Sequence, residues 1–268
     1  MDSVPLCHAA HRSRVKGKRR NHLVRYTATV LAVSVLIATP CQAQSESKKP
    51  AHPHTGGEDS TASIDCPLRD KGIAHKHATP FGDTEKYITF LERQDRVTWQ
   101  KPGAVVEALK LTGDETIADV GAGSGYFALR FASALPRGRV YAIDVDPAMI
   151  HHIRHRTIEN TIDNVEVILA SPEDPKVPKD SEIVFICDVL HHVENKSRWL
   201  QKIHGAVKKG ARLVLIEYKE GDLPEGPPEW MKMSPQEVTA TALGAGFTHV
   251  STDNDLLPYQ TIFVFEKG

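Results

Sequence analysis

One pattern constrains this chain more than any other. From Thr116 onward, short runs rich in Val, Ile and Leu alternate with helical stretches. The runs are Thr116–Val120, Arg139–Asp144, Val165–Leu169, 182–187 and Arg212–Tyr218. Their apolar residues are consecutive rather than alternate, which is the mark of strands buried on both faces. A helix between two strands is long enough to return the second strand parallel to the first. Helices are expected over 126–135, from Asp146-Pro147 through Ile153, over about 196–207, and from Ser234 to near Gly244. Asp146-Pro147 opens one of them, Ser234-Pro-Gln-Glu237 is a capping box, and Lys208-Lys209-Gly210 is a cationic end followed by a turn residue. The last two strands, 249–252 and 261–265, are joined by a loop too short for a crossover and should pair antiparallel. The expected fold is α/β, a doubly wound and mostly parallel seven-stranded sheet with the last strand antiparallel. A ligand crevice should lie at the carboxyl ends of strands one, two and four, where the winding reverses. Two short helices precede strand one, marked by Tyr87, Ile88 and Leu91 and by Val105, Val106 and Leu109 after Pro102. With the loop at 221–233 they should cover the crevice.

The turn after strand one reads Asp119-Val-Gly121-Ala122-Gly123-Ser-Gly125-Tyr126. Glycines there let backbone approach a ligand and let the next helix pack on the strand. A pyrophosphate-binding turn keeps clear of negative charge, because its helix N-terminus meets an anion. Asp119, two residues before the first glycine, suits a ligand whose near end is cationic. Asp144, followed by Val145, closes strand two, where a carboxylate accepts the ribose hydroxyls of an adenosine. Asp146 already supplies the helix cap, so capping does not explain Asp144. Ser171-Pro-Glu-Asp174 follows strand three, and Cys187-Asp188-Val-Leu-His191-His192 follows strand four at the switch point.

These residues resemble the Rossmann-like (class I) S-adenosylmethionine-dependent methyltransferases, from about Lys101 to the C-terminus. The resemblance implies S-adenosyl-L-methionine as cofactor. It places the methionine end at Asp119, Gly121, Ala122, Gly123 and Gly125, the ribose at Asp144 and Val145, the adenine at Ser171 and Asp174, and Asp188 at the reacting end. The segment Asp188-Val-Leu-His-His-Val looks like the small-molecule branch that includes ubiquinone and menaquinone C-methyltransferases. The Asn-Pro-Pro-Tyr signature of amino-group methylases is absent. The third loop departs from the family, with Ser-Pro-Glu-Asp-Pro in place of the commoner acid-Ala pattern.

Methyl transfer needs alignment first, and a general base only where the acceptor must lose a proton. His191 and His192 are the candidates, with Asp188 and Tyr218 as neighbours. Adjacent side chains diverge, so at most one should face the crevice, and a structural or solvated role is open for either. No second pair of acids accompanies Asp188, so no metal is expected. The other function class to weigh is an exported binding protein that keeps the fold without catalysis.

Charge separates the chain into three parts. Residues 1–25 hold seven Arg and Lys against one Asp, and residues 26–43 hold no charge. Basic segment, apolar run Tyr26–Thr39 and small residues at Cys41-Gln-Ala43 follow the order of a secretory signal, or of an anchor if uncleaved. Residues 1–43 are therefore expected to export the protein to the periplasm, the alternative being a cytoplasmic protein with a basic extension. The segment also allows a transient membrane contact. Residues 44–80 are polar, rich in Pro, Gly and Ser, and read as a disordered linker before a domain over 81–268. The linker's His52, His54, His75 and His77 with Cys66 match no closed zinc spacing. Cys187, in an apolar run, reads as a buried strand residue. From residue 44 onward acids exceed Lys and Arg, which argues for a small-molecule acceptor and against nucleic acid. Nothing in the sequence sets the oligomeric state.

Overall fold

The computed structural model describes residues 84–268, so the expected signal segment and linker lie outside the described residues. Three short helices come first: α1 Thr84–Leu91, α2 Arg96–Gln100 and α3 Pro102–Ala108. Then follow β1 Thr116–Val120, α4 Ala128–Ala134, β2 Arg139–Asp144, α5 Pro147–Glu159, β3 Val165–Leu169 and β4 Ile183–Cys187. The remainder is α6 Lys196–Ala206, β5 Arg212–Tyr218, α7 Pro235–Gly244, β6 Phe247–Asp253 and β7 Gln260–Lys267.

The strands lie in the order β3-β2-β1-β4-β5-β7-β6. β1 pairs parallel with both β2 and β4, so the winding reverses between β1 and β4, as the sequence implied. β7 runs antiparallel to both β5 and β6. The central strands are apolar throughout because both faces are covered. One face carries Val184, Ile186, Leu213 and Phe265 against Leu200 and Ile203 of α6. The other carries Phe185 and Val214 against Phe127 and Phe131, whose rings both stand 4.9 Å from that of Phe185. β6 is exposed beyond Phe247, as an edge strand with no helix over its far side must be.

Local chemistry sets the helix ends. Asp146 caps α5 by accepting from the Ala148 N–H at 2.8 Å, Asn195 caps α6, and Ser234 and Glu237 complete the capping box of α7. The Asn164 amide donates to the carbonyls of Ala132 and Leu135, closing the C-terminal end of α4. α4 begins at Ala128, two residues later than the expected start at Tyr126. The glycine turn is the cause. Gly125 takes φ +82°, and its N–H returns to the Ala122 carbonyl at 2.9 Å, so the chain is still turning where a helix was expected.

Among the described residues no helix is long and apolar enough to cross a membrane. None of their His, Cys, Asp and Glu side chains gather in a group of three or more that could hold a metal ion.

Candidate active site

The glycine turn is strapped to the end of β2. The N–H groups of Gly121 and Ala122 both donate to the Ile143 carbonyl, at 2.8 and 2.9 Å. Gly121 has φ +77°, and a Cβ there would lie 2.3 Å from the Val189 methyl. Only glycine lets the loop after β4 press this closely on the turn after β1. The switch point therefore brings the Asp119 and Asp188 loops together.

Asp119 is buried on β1, and the Ala128 N–H at the start of α4 donates to its carboxylate. Its Oδ2 has no partner. Burial, reinforced by the nearby Asp144 charge, pushes its pKa up to about 7. Asp144 is buried too, and its oxygens are partly used: Oδ2 accepts from the Gly123 N–H at 2.7 Å and Oδ1 from the Asp146 N–H at 2.9 Å. Burial raises its pKa, and those two N–H groups, with that of Val145, hold the rise back. Each oxygen keeps a lone pair for another donor. Val145 follows directly. The Ala170 N–H donates to the Asp144 carbonyl, so the loop after β3 starts beside this acid. Ser171 and Asp174 pair through their backbones, and the exposed Asp174 carboxylate accepts from the Lys176 N–H at 3.0 Å. The side chain of Asp174 thus braces its own turn.

Across the switch point the acids are met by side chains from other elements. Asp188 takes a left-handed conformation, φ +59°, which turns the chain at the end of β4. Gln100 of α2 donates to its Oδ2 at 3.0 Å and Gln260 of β7 to its Oδ1 at 2.6 Å. Burial, then the Glu217 charge, lifts its pKa to about 6. Cys187 is only partly buried, at the strand end rather than inside the core. Its thiol pKa is driven well above the ordinary value by burial and then by Asp188. His191 is buried against Glu217 of β5: Nδ1 lies 2.6 Å from Oε2, and the backbone N–H donates to Oε1 at 3.3 Å. Burial pulls the ring's pKa down, but Glu217, by charge and hydrogen bond, overrides it and leaves the ring above its usual value. His192 is exposed, its ring 4.2 Å from that of His191. The two rings are in contact rather than divergent, with His191 buried and committed to Glu217 and His192 at the surface.

α1 and α2 close over this floor. A Cβ at Gly123 would meet the Leu91 methyl at 3.1 Å, so the end of α1 sits on the glycine turn. Tyr87 titrates only at about 12, raised by burial and then by Asp144. Arg96 lies flat over the Tyr126 ring, 4.0 Å from its centroid, and hydrogen-bonds Gln100 and the Leu91 carbonyl. Its charge lowers the pKa of both Asp119 and Asp188. Arg93 reaches the other way and pairs with Glu225, which ties the helices to the loop at 221–233. Arg96, Gln100, Glu217 and Gln260 are not singled out by the sequence reading. Glu217 and Gln260 did leave a signal: Glu217 closes the apolar run L-V-L-I, and Gln260 with Thr261 precedes the run I-F-V-F.

The donor set fits S-adenosylmethionine. A buried carboxylate with an open oxygen suits its cationic methionine end, a second with lone pairs to spare suits vicinal hydroxyls, and the glycines leave room for both. Residues 118–213 match a family model described as a methyltransferase domain. A tRNA U34 carboxymethyltransferase of Marinobacter nauticus is 28% identical over 148 residues, 54% of this chain and 43% of that protein. The ubiquinone/menaquinone biosynthesis C-methyltransferase UbiE of Hydrogenovibrio crunogenus is 29% identical over 119 residues, 42% of this chain and 47% of that one. The chain thus spans less than half the length of these two relatives. A crystal structure of a SAM-dependent methyltransferase from Aquifex aeolicus superposes with a TM-score of 0.62 at 24% identity, covering 68% of this chain and 97% of that one, a likeness of fold. A relative named for tRNA removes the support for excluding nucleic acid that the charge count had offered.

Proposed function

We propose that this protein, whose residues 118–213 match a methyltransferase domain and whose sheet has the Rossmann-like methyltransferase fold, moves a methyl group from S-adenosylmethionine to a small molecule. Asp119 carries the reading. A carboxylate buried to 3% exposure with one oxygen unpartnered is costly unless a cation meets it. When bound, the cofactor supplies an electrophilic methyl on a positive sulfonium. The chain's part is to bind, orient and exclude water. Asp119 holds the cationic methionine end, Asp144 takes the ribose hydroxyls, and Ser171 with Asp174 borders the adenine at the β3 edge. Asp188, fixed by two amides, shapes the reacting end. His191 braces that loop through Glu217, which leaves His192 as the residue inferred to accept a proton from the acceptor.

The experiment is calorimetric titration of S-adenosylmethionine into the full chain. Asp144→Ala should weaken binding at least tenfold, since a hydrogen bond to a charged group contributes about 1.5–3 kcal/mol. Asp144 also holds the Gly123 N–H, so Asp144→Asn, which retains an acceptor oxygen, separates loss of the ribose contact from loss of the turn. Unchanged affinity in a folded Asp144→Ala protein overturns the assignment. The buried carboxylates of the crevice, Asp119, Asp144 and Asp188, favour a small acceptor over a polyanion. Label passing from tritiated cofactor into bulk tRNA would reverse that choice. On the pattern of residues 1–43 we further propose that the protein works outside the cytoplasm. A mature N-terminus near Gln44 in the periplasmic fraction is the expected result, and a full-length cytoplasmic protein the contrary one.

A further inference from the structure

The two ends of the crevice are joined through one side chain of the cover. α2, Arg96–Gln100, has five residues, too few to hold a place by its own backbone, so its side chains fix where it sits. Arg96 at its start serves three partners. Its Nη1 donates to the Leu91 carbonyl at 2.7 Å, its Nε donates to the Gln100 side-chain oxygen, and its guanidinium lies on the Tyr126 ring. Leu91 and Tyr126 belong with the glycine turn, since Leu91 rests on Gly123 and Tyr126 follows Gly125. Gln100 belongs to the reacting end. It is fully buried, and its amide nitrogen donates to Asp188 Oδ2 at 3.0 Å and to Cys187 Sγ at 3.1 Å. An unbroken set of contacts thus runs through Gly123, Leu91, Arg96, Gln100 and Asp188, from the turn after β1 to the loop after β4. The charge of Arg96 also reaches Asp119 and Asp188 alike.

Resting on the methyl-transfer reading, we propose that Arg96 is a positioning residue that ties the seating of Asp188 to occupancy of the cofactor end. Cofactor bound along the glycine turn packs against Leu91 and Tyr126, which fixes two of the three partners of Arg96. It also brings a cation to Asp119, which answers that carboxylate locally and leaves the guanidinium's charge to Asp188. α2 is then held down, and Gln100 clasps Asp188 before an acceptor arrives. Without cofactor α2 lifts more often, and Asp188 loses the Gln100 arm. Lysine cannot take this part, because two nitrogens of a flat fork meet two acceptors while the plane stacks on a ring. The consequence is an order of binding, cofactor first and acceptor second.

Cys187, partly exposed, reports the seating of α2 because the Gln100 amide lies against its sulfur. The full chain is alkylated with iodoacetamide, with and without saturating S-adenosylmethionine. The chain holds four cysteines, so the peptide bearing Cys187 is followed by mass spectrometry. Cofactor should slow alkylation of Cys187 about fivefold or more. In Arg96→Lys the rate without cofactor should rise about tenfold, and bound cofactor should no longer protect. A merely structural role would raise both rates and keep their ratio. Protection that persists in Arg96→Lys is screening by the ligand itself and overturns the proposal. Should that variant fail to fold or to bind, Gln100→Met keeps Arg96 on the glycine turn, cuts the link to Asp188, and must lose the ratio in the same way. Calorimetry on the same preparations separates the two readings. Cofactor binding to the natural chain without protection of Cys187 overturns this inference alone, whereas no cofactor binding overturns the methyl-transfer reading and this inference with it.

Discussion

At the β1 end of the crevice Asp119 keeps a carboxylate oxygen without a partner, whereas at the β4 end both oxygens of Asp188 are taken, by Gln100 and Gln260. Asp144 and Glu217 differ in the kind of partner rather than in its number: Asp144 is met by backbone N–H groups of its own turn, Glu217 by His191. Both ends bury acids, and burial raises the pKa of Asp119 and Asp188 alike. What differs is where the compensation comes from. The β4 end carries its own, so it is a brace that exists before any ligand arrives. The β1 end leaves a vacancy in its hydrogen bonding, which gives a cation something to gain there.

The largest effect should come from breaking the brace. Glu217→Ala leaves the buried His191 ring without its carboxylate, and removing one partner of a buried pair typically costs about 3–5 kcal/mol. Urea denaturation should show that loss, with Glu217→Gln recovering part of it. A loss under 1 kcal/mol would mean the β4 end is no more rigid than the β1 end.

Asp119→Asn should divide the other way. It removes a desolvated charge that no protein group fully meets, so the free protein should keep or gain stability. S-adenosylmethionine affinity should fall about tenfold or more, by roughly 1.5–3 kcal/mol. If stability falls as well, Asp119 is part of a brace too and the contrast fails.

A smaller effect, per pH unit, sharpens the same point. The pKa of Asp119 is about 7 when folded and near 4 when unfolded. Between those values the native state holds a proton that the unfolded chain has released. Its contribution to stability is therefore full below pH 4, declines as pH rises towards 7, and is gone above. The slope for one such group is at most about 1.4 kcal/mol per unit. Cofactor affinity should move oppositely, tightening as Asp119 ionises. The difference between the natural chain and Asp119→Asn, followed by thermal melts at pH 4.5, 6 and 7.5, isolates the group, and a flat difference would remove the raised pKa.

The smallest effect is expected at Tyr126, on the turn itself. Its hydroxyl is buried without a partner while its ring is held between Arg96 and Arg130, at 4.0 and 3.9 Å. Tyr126→Phe should change stability by less than about 0.5 kcal/mol. A larger loss would show that this hydroxyl has a partner and that the β1 end is more complete than its geometry implies.

The sequence reading followed the same division. The parallel core was legible because a doubly covered strand must be apolar at every position, and the glycine turn because its parts lie within eight residues. Asp119, Asp144 and Asp188 were found for the same reason: each closes or flanks a strand that could be recognised locally. The brace was not legible. Gln100, Asp188, Glu217 and Gln260 meet only after α2, β4, β5 and β7 have packed, and no local pattern links them. The two histidines show the limit well, since their adjacency suggested diverging rings, which instead stand 4.2 Å apart, and could not say which one Glu217 would claim. The place of β7 between β5 and β6 was likewise beyond reach, because loop length sets the direction of a strand pair and not its neighbour on the far side.

That place has a consequence in time. β7 is the last of the seven strands to leave the ribosome, yet it lies inside the sheet, and it delivers Gln260 to Asp188. Until it emerges, β5 has a bare edge, β6 has nothing to pair with, and the clasp on Asp188 lacks one arm. A chain caught partway through synthesis therefore has neither a closed sheet nor a finished binding floor. Its long-range contacts must wait for that strand, which delays compaction relative to translation.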